Sequence, residues 1–488
     1  MPSVSKIEQP INYSFEIYPF ADSSRTHTII LFNTLTANIS IPTGLTSLTQ
    51  FYLIESFNFE NDVFNPIQSG SARVIQQQYT TIDFFKYVAE GDLIFIKENG
   101  NNIFSGYIES LQLDISMNGT IITLNFVNFI KQLSITKVFG LIFETLQPAQ
   151  GIGFKDLLDT ITGNTLIGIA QQKSTVFTFD TYQGLGEDTS LVLQDSTTVY
   201  VTISSFMTIF QVINKILYPY QRLIYQDNMG NIAIAPLSLF DDFQWFFSQS
   251  NFSPGGVTTP YLNISVKKNA AAIPNYEYAT LFTIPTAQGI LGGDQSQLNS
   301  SFFCQYLPPI KNFTRLNQLY NSGNFTIADV IIEDLITDPA KIDITLNNIS
   351  TLLQGGVSIS AAAAVTIAAV NTTPISQTPI TSSDRVDVSA ILFNYAARAM
   401  AEHLVDETSV VITSMRIKQQ DSFGNLKPLP INRLVDCVMD TGILQSSSLF
   451  CRGYVFNYSA SGGAIVTLNC TKPLVGGAYW VNGGLVSV

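Results

Sequence analysis

Hydrophobic and polar positions alternate with a period of two near the start of the chain. Leu93 to Glu98 is a β-rich run that stops at Asn99-Gly100-Asn101-Asn102, and Ile103 opens the return strand. Asn-Gly between apolar runs predicts a tight hairpin, because both residues tolerate positive φ. Ile108 to Ile115 then leads into Met117-Asn118-Gly119-Thr120, after which Ile122, Leu124 and Phe126 alternate with Thr123 and Asn125. Such alternation marks strands with one buried face.

From Gly151 the period changes. Phe154, Leu157, Leu158 and Ile161 have helical spacing, stopped by Gly163-Asn164. Phe206, Ile209, Phe210, Ile213 and Leu217 predict a second helix that begins near Ser204-Ser205 and ends before Pro219. Leu223 to Ala235 follows as a hairpin turning at Asp227 to Asn231. Residues 241–343 mix short apolar runs with Pro254-Gly255-Gly256, Gly292-Gly293 and Pro308-Pro309, a grammar of irregular β and long loops. No charge falls between Asp343 and Asp384, so that stretch, with its run from Ala361 to Ala369, is expected to be an insertion or a covered surface. An Ala-rich helix is predicted at Ser389 to Val405, and Leu429 to Pro473 returns to β.

The closing β section echoes the opening one. Ile103-Phe104-Ser105-Gly106-Tyr107-Ile108 aligns with Leu449-Phe450-Cys451-Arg452-Gly453-Tyr454-Val455, with one insertion. Gly119 to Asn125, containing Thr123 and Leu124, aligns with Gly463 to Asn469, containing Thr467 and Leu468. Gly91 to Ile96 matches Asn432 to Cys437 more loosely. The copies are too far apart for a short-period solenoid. They predict one small β-domain used twice, with Gly106, Tyr107, Thr123 and Leu124 equivalent to Gly453, Tyr454, Thr467 and Leu468. Chance likeness between Asn/Gly-turned hairpins is the competing explanation. A trimer of such chains would present six similar β-domains in a closed ring.

Composition narrows the function. The 488 residues suit about three domains. The fold class expected is mainly β with α+β insertions. The predicted units are an N-terminal tube-like β-barrel domain at 1–138, an α+β domain at 139–240, an irregular β and loop region at 241–385, and a helix plus second tube-like β-domain and tail at 386–488. Charged residues are 12% of the chain, about half the usual share of roughly 25%. Hydrophobic residues reach 46%, which excludes disorder. A net charge of −13 excludes a simple nucleic-acid binder, which needs clustered Lys and Arg. A surface so poor in charge is expected to be covered by other subunits.

In these segments the sequence resembles the baseplate hub proteins of tailed phages, the Mu-type and related hubs. Their counterpart is the hub half of type VI secretion spike proteins. The carriers are Gly91 to Ile96, Ile103 to Ile108, the Phe206 to Leu217 helix with the Asp227 to Asn231 turn, and the block from Leu434 through Gly453-Tyr454 to Thr467-Leu468. The resemblance implies two tube-like antiparallel β-barrel domains flanking smaller α+β domains, in a homotrimer. It implies that the trimer ends the hexameric tail tube, or meets a tube-initiator protein, and seats the central spike among other baseplate proteins. DNA would cross the channel without sequence-specific binding, past a negative wall that repels a polyanion. The location implied is the virion tail baseplate, assembled in the host cytoplasm, without stable membrane insertion. Residues 241–385 match nothing in that pattern.

Motifs for chemistry are missing from the sequence. His27 and His403 show no metal-ligand spacing, and no G-x-S-x-G, G-x-x-x-x-G-K-[ST] or G-x-G-x-x-G run occurs. No catalytic residue, metal or cofactor is therefore expected, and no enzymatic activity. Cys304, Cys437, Cys451 and Cys470 lack C-x-x-C spacing and read as buried thiols, with a disulfide pair as the alternative. A rival reading is a β-rich outer-membrane or cell-surface protein, which low charge and plentiful aromatics would suit. Against it stand the predicted helices and Met1 to Glu8, which lacks the pattern of an export signal. The apolar run Val357 to Val370 is too short for a bilayer helix. A further rival is a hub-like protein with cell-wall hydrolase activity. That chemistry needs a facing carboxylate pair, for which Glu55, Glu60 and Asp62 are candidates only by proximity in sequence.

Overall fold

The computed structural model describes residues 10–20, 27–34, 44–77, 83–116, 119–135, 208, 210–211, 213–214, 222–227, 241–248, 259–268, 408–420, 425–438 and 447–471, and elsewhere only short strand backbones. The protein is mainly β, as its alternating pattern predicts. Fourteen strands form one sheet. Eight come from the opening section: β1 (Tyr13–Tyr18), β2 (Thr28–Phe32), β3 (Leu45–Ser47), β4 (Tyr52–Asp62), β5 (Ser69–Gln76), β6 (Leu93–Glu98), β7 (Asn101–Ser116) and β8 (Gly119–Asn128). The others are β9 (Asp241–Ser248), β10 (Asn263–Lys268), β11 (Thr408–Met415), β12 (Arg433–Val438), β13 (Ser447–Ser459) and β14 (Gly463–Thr471).

The sheet runs β10-β11-β14-β13-β4-β5-β8-β7-β6-β1-β2-β3, with β12 also on β13 and β9 beside β12. The predicted hairpins stand. Asn99 and Gly100, at φ 48° and 88°, turn β6 into β7, which is the left-handed backbone that this pair supplies cheaply. β8 buries Ile122, Leu124 and Phe126 and turns Thr123 and Asn125 toward its other face. One short helix, α1 (Phe129–Ile135), follows β8 and buries Phe129, Ile130 and Leu133.

The two ends of the chain meet in this sheet. Gly453 to Ser459 of β13 pair antiparallel with Asp62 to Ser56 of β4. The buried core crosses that seam, from Phe15, Phe57, Phe59 and Phe126 to Tyr454, Phe456, Val466 and Leu468. Of the predicted helix 206–217, residues 210–211 and 213–214 are helical and Ile213 is buried. The predicted helices at 154–161 and 389–405 lie outside the described residues, as do His403, Cys304 as a side chain, and the uncharged stretch apart from the strand backbone Thr366–Ala369.

Sheet register aligns the two β sections differently from sequence alone in one place. Asn469 faces Gly453, whereas Asn125 faces Ser110, and Gly106 faces Asn128. Counting from Gly119 and Gly463, the ladder therefore sets Gly453-Tyr454 beside Ser110-Leu111 rather than Gly106-Tyr107. Each hairpin carries a bulge at the same step, at Glu109 between Ile108 and Ser110 and at Arg452 between Cys451 and Gly453, but Gly106-Tyr107 precedes its bulge whereas Gly453-Tyr454 follows its own. A bulge adds a residue to one strand only, so identity of a dipeptide does not fix register.

Candidate functional site

Among the described residues, a group of buried polar contacts lies where the opening and closing sections join. β4 and β13 approach closely at Gly453. A Cβ there would strike the Asn61 carbonyl oxygen, and it would lie 2.6 Å from the Asp62 Cα. Gly106 is equally confined, against the Val127 carbonyl on β8. Glycine is required at both positions because backbone of the neighbouring strand fills the space a side chain would take.

Behind the seam sits a buried ion pair. Arg416, in the turn after β11, is 2% exposed and donates through Nε to Glu98 Oε1 at 2.9 Å and through Nη2 to Glu98 Oε2 at 2.7 Å. Its Nη1 donates to Gln419 Oε1 at 2.8 Å, and the Gln419 amide in turn donates to Ser414 Oγ. The Tyr13 hydroxyl donates to Glu98 Oε1 at 3.2 Å. Burial works against the guanidinium charge, but the carboxylate of Glu98 outweighs it and raises the Arg416 pKa. Burial, then Glu98, pushes the Tyr13 hydroxyl far above its ordinary range. This two-pronged geometry is what lets a guanidinium and a carboxylate stay charged away from water.

Further polar ties cross between distant segments. Asn33 Nδ2 donates to the Tyr458 hydroxyl at 2.9 Å. Gln226 Nε2 donates to the Ser105 carbonyl at 2.6 Å, while the Gln226 carbonyl accepts from Asn61 Nδ2 at 3.0 Å. At the rim, Arg452 Nε meets Asp62 Oδ2 at 2.7 Å, and its guanidinium lies 5.3 Å from the centre of the Phe64 ring. Between these ties the rings of Phe57, Phe59 and Phe456 stack, Phe456 lying 5.6 Å from Phe57 and 5.1 Å from Phe59. The seam thus joins the two sections through backbone pairing, aromatic packing and side-chain hydrogen bonds.

The sequence-derived positions fall as follows. Gly453 and Tyr454 lie in the seam itself, Tyr454 buried and its hydroxyl raised well above the usual range, chiefly by that burial. Thr467 and Leu468 are on β14, Leu468 buried against the core and the Thr467 hydroxyl 3.4 Å from that of Thr413. Thr123 and Leu124 occupy β8, with Leu124 buried. Gly106 and Tyr107 sit on β7; burial, then Glu109, pushes the Tyr107 hydroxyl up to about 12. Of the three carboxylates on β4, Asp62 is held by Arg452 and Glu55 lies 3.4 Å from Arg73, so two of them face guanidinium groups instead of each other. Cys437, Cys451 and Cys470 are free and buried, and burial pushes the Cys437 thiol up to about 12. Arg416, Glu98, Asn33 and Gln226 escape sequence reasoning, because partners 121 (Gln226 to Ser105), 318 (Arg416 to Glu98) or 425 (Asn33 to Tyr458) positions apart leave no local signal. Among the described residues no cluster of three or more His, Cys, Asp or Glu side chains gathers to hold a metal, and no helix is long and apolar enough to cross a membrane.

No protein-family profile matches the sequence, and no curated protein matches it. The structure is similar to the tail protein from Neisseria meningitidis MC58, at TM-score 0.52 and 10% identity over 95% of this chain and 97% of the other. It is also similar to the prophage MuSo2 43 kDa tail protein from Shewanella oneidensis, at TM-score 0.53 and 8% identity over 95% of this chain and 99% of the other. At such identities the likeness is one of fold, and it extends over nearly the whole of all three chains.

Proposed function

We propose that this protein is a structural component of a phage tail, the hub of the baseplate. In this reading three copies form an adapter that joins the hexameric tail tube, or its initiator, to the central spike and encloses part of the DNA-ejection channel. The observation that carries it is the fold shared, over nearly the whole chain, with a tail protein and a prophage tail protein. Three features support it. Opening and closing sections are welded into one sheet, which suits a part that transmits load. The seam is held by a buried ion pair and by side-chain hydrogen bonds between distant segments, which suits scaffolding. The net charge of −13 suits a wall past which DNA slides without adhering.

Removal of the gene from the phage tests this reading. The expected result is particles whose tails lack a joined tip, with antibody against the chain marking the tail end of wild-type virions by electron microscopy. Fully tailed, infectious particles that contain none of the chain would overturn it.

A further inference from the structure

We propose that neighbouring copies of the chain are joined by strand addition, the free edge of β7 in one copy pairing antiparallel with the free edge of β10 in the next. The proposal deepens the homotrimer part of the reading above and rests on it only for the number of copies.

It starts from a duplicated sheet pattern. The order β4-β5-β8-β7-β6 and the order β10-β11-β14-β13-β12 have the same chain sequence and the same antiparallel directions throughout. Their registers coincide as well. Leu93 faces Tyr107 as Leu434 faces Phe450, and Asn125 faces Ser110 as Asn469 faces Gly453. Positive φ precedes each third strand, at Gly91 and at Asn432. The bulges at Glu109 and Arg452 fall at the same step.

One difference between the two units points to a partner. In the second unit, β13 leaves β12 after Cys451, and from Gly453 onward the same edge is taken by β4. In the first unit, β7 leaves β6 after Tyr107, and among the described residues no strand takes the edge from Ser110 to Ser116. The counterpart of β4 is β10, which pairs with β11 on one side and with no described strand on the other. Among the described residues each chain therefore carries one completed junction, β13 on β4, and the two unpaired halves of another. An unpaired strand edge is a template for pairing.

The side chains fit the register that the completed junction dictates. Phe456 faces Phe59 and Tyr458 faces Phe57. Carried across, Leu113 faces Val266 and Ile115 faces Ile264, with Leu262 diagonal to Ile115. Leu113, Ile115 and Leu262 are 42%, 76% and 56% exposed, three of the five exposed large apolar side chains among the described residues. Ile264 and Val266 are half-buried at the border of the core. On the opposite face Lys267 becomes the diagonal neighbour of Asp114, a spacing that a lysine spans. The pairing is head-to-tail, so it forms a ring when the rotation between copies closes and an open filament when it does not.

Bismaleimide cross-linking of the full chain carrying Leu113→Cys and Val266→Cys tests the contact. The expected result is a denaturing-gel ladder ending at three chains, absent from wild type and from either single variant. Only a within-chain link, links of equal strength in a single variant, or no link would each overturn the proposal. The double variant Leu113→Lys/Ile115→Lys, altered only at exposed positions, is expected to run as a single chain by light scattering with an unchanged circular-dichroism spectrum. Retention of wild-type mass would also overturn it. Loss of the cross-link from a chain that still assembles into tails sinks this junction alone; a closed ladder from a chain missing from tails sinks the hub reading alone.

Discussion

Arg416 and Glu98 set the energetic character of the seam. The net worth of such a pair is small, because taking both charges out of water offsets most of their attraction. Removing one partner is different, since the other charge stays behind in a buried site. Arg416→Met is therefore expected to lower stability by about 3–5 kcal/mol, read from urea unfolding. Adding Glu98→Leu should restore a large part of that loss, because no uncompensated charge then remains. Tyr13 and Tyr454 make a second residue-scale prediction. Both hydroxyls are raised by burial above the ordinary value of 10.0. Below that pH the folded and unfolded chains hold these protons alike, and the stabilisation is complete. Above it the unfolded chain releases protons that the folded chain keeps, so stability falls as pH rises. Tyrosinate absorbance from these two residues should appear together with loss of the β signal in circular dichroism, not before it. Early titration of all tyrosines in a still-folded chain would contradict their burial.

Strands rather than single side chains explain why glycine stands at Gly453. Alanine there would push β13 off the Asn61 carbonyl of β4, an overpacking cost of about 1–3 kcal/mol. Hydrogen exchange should show the effect locally: Gly453→Ala speeds exchange in β4 and β13, while the β5–β8 ladder stays protected. Uniform acceleration would mean that the seam is not a separate weak point. This scale also shows what the sequence made legible. Turn chemistry is local, so Asn99-Gly100 and the alternation of Ile122, Leu124 and Phe126 were readable directly. The likeness of the Gly119 and Gly463 hairpins is legible for the same reason. The sheet does not make Gly106 and Gly453 equivalent, because the shared Gly-Tyr dipeptide lies before the bulge at Glu109 in one section and after the bulge at Arg452 in the other, and a bulge leaves no residue signature. Pairing of β13 with β4 joins segments from opposite ends of the chain, and no short-range pattern encodes that.

At the scale of the whole molecule the scarcity of charge and the unpaired edges belong together. A chain with 12% charged residues and a net charge of −13 has little to gain from electrostatic association with copies of itself. Like-charged copies repel over a distance set by salt, about 30 Å at 0.01 M and about 8 Å at 0.15 M. The junction proposed between β7 and β10 is chiefly apolar and backbone-bonded, with Lys267 and Asp114 as its one described opposite-charge pair. Raising salt over that range should therefore remove more repulsion than attraction and strengthen self-association, measured as a rise in mass by sedimentation equilibrium. Dissociation on adding salt would mean that opposite charges hold the copies together, and the apolar strand edge would lose its role. The direction of the salt effect thus separates two ways of assembling the same acidic chain. One uses Leu113, Ile115 and the β10 edge; the other needs a charge pattern that this composition scarcely supplies.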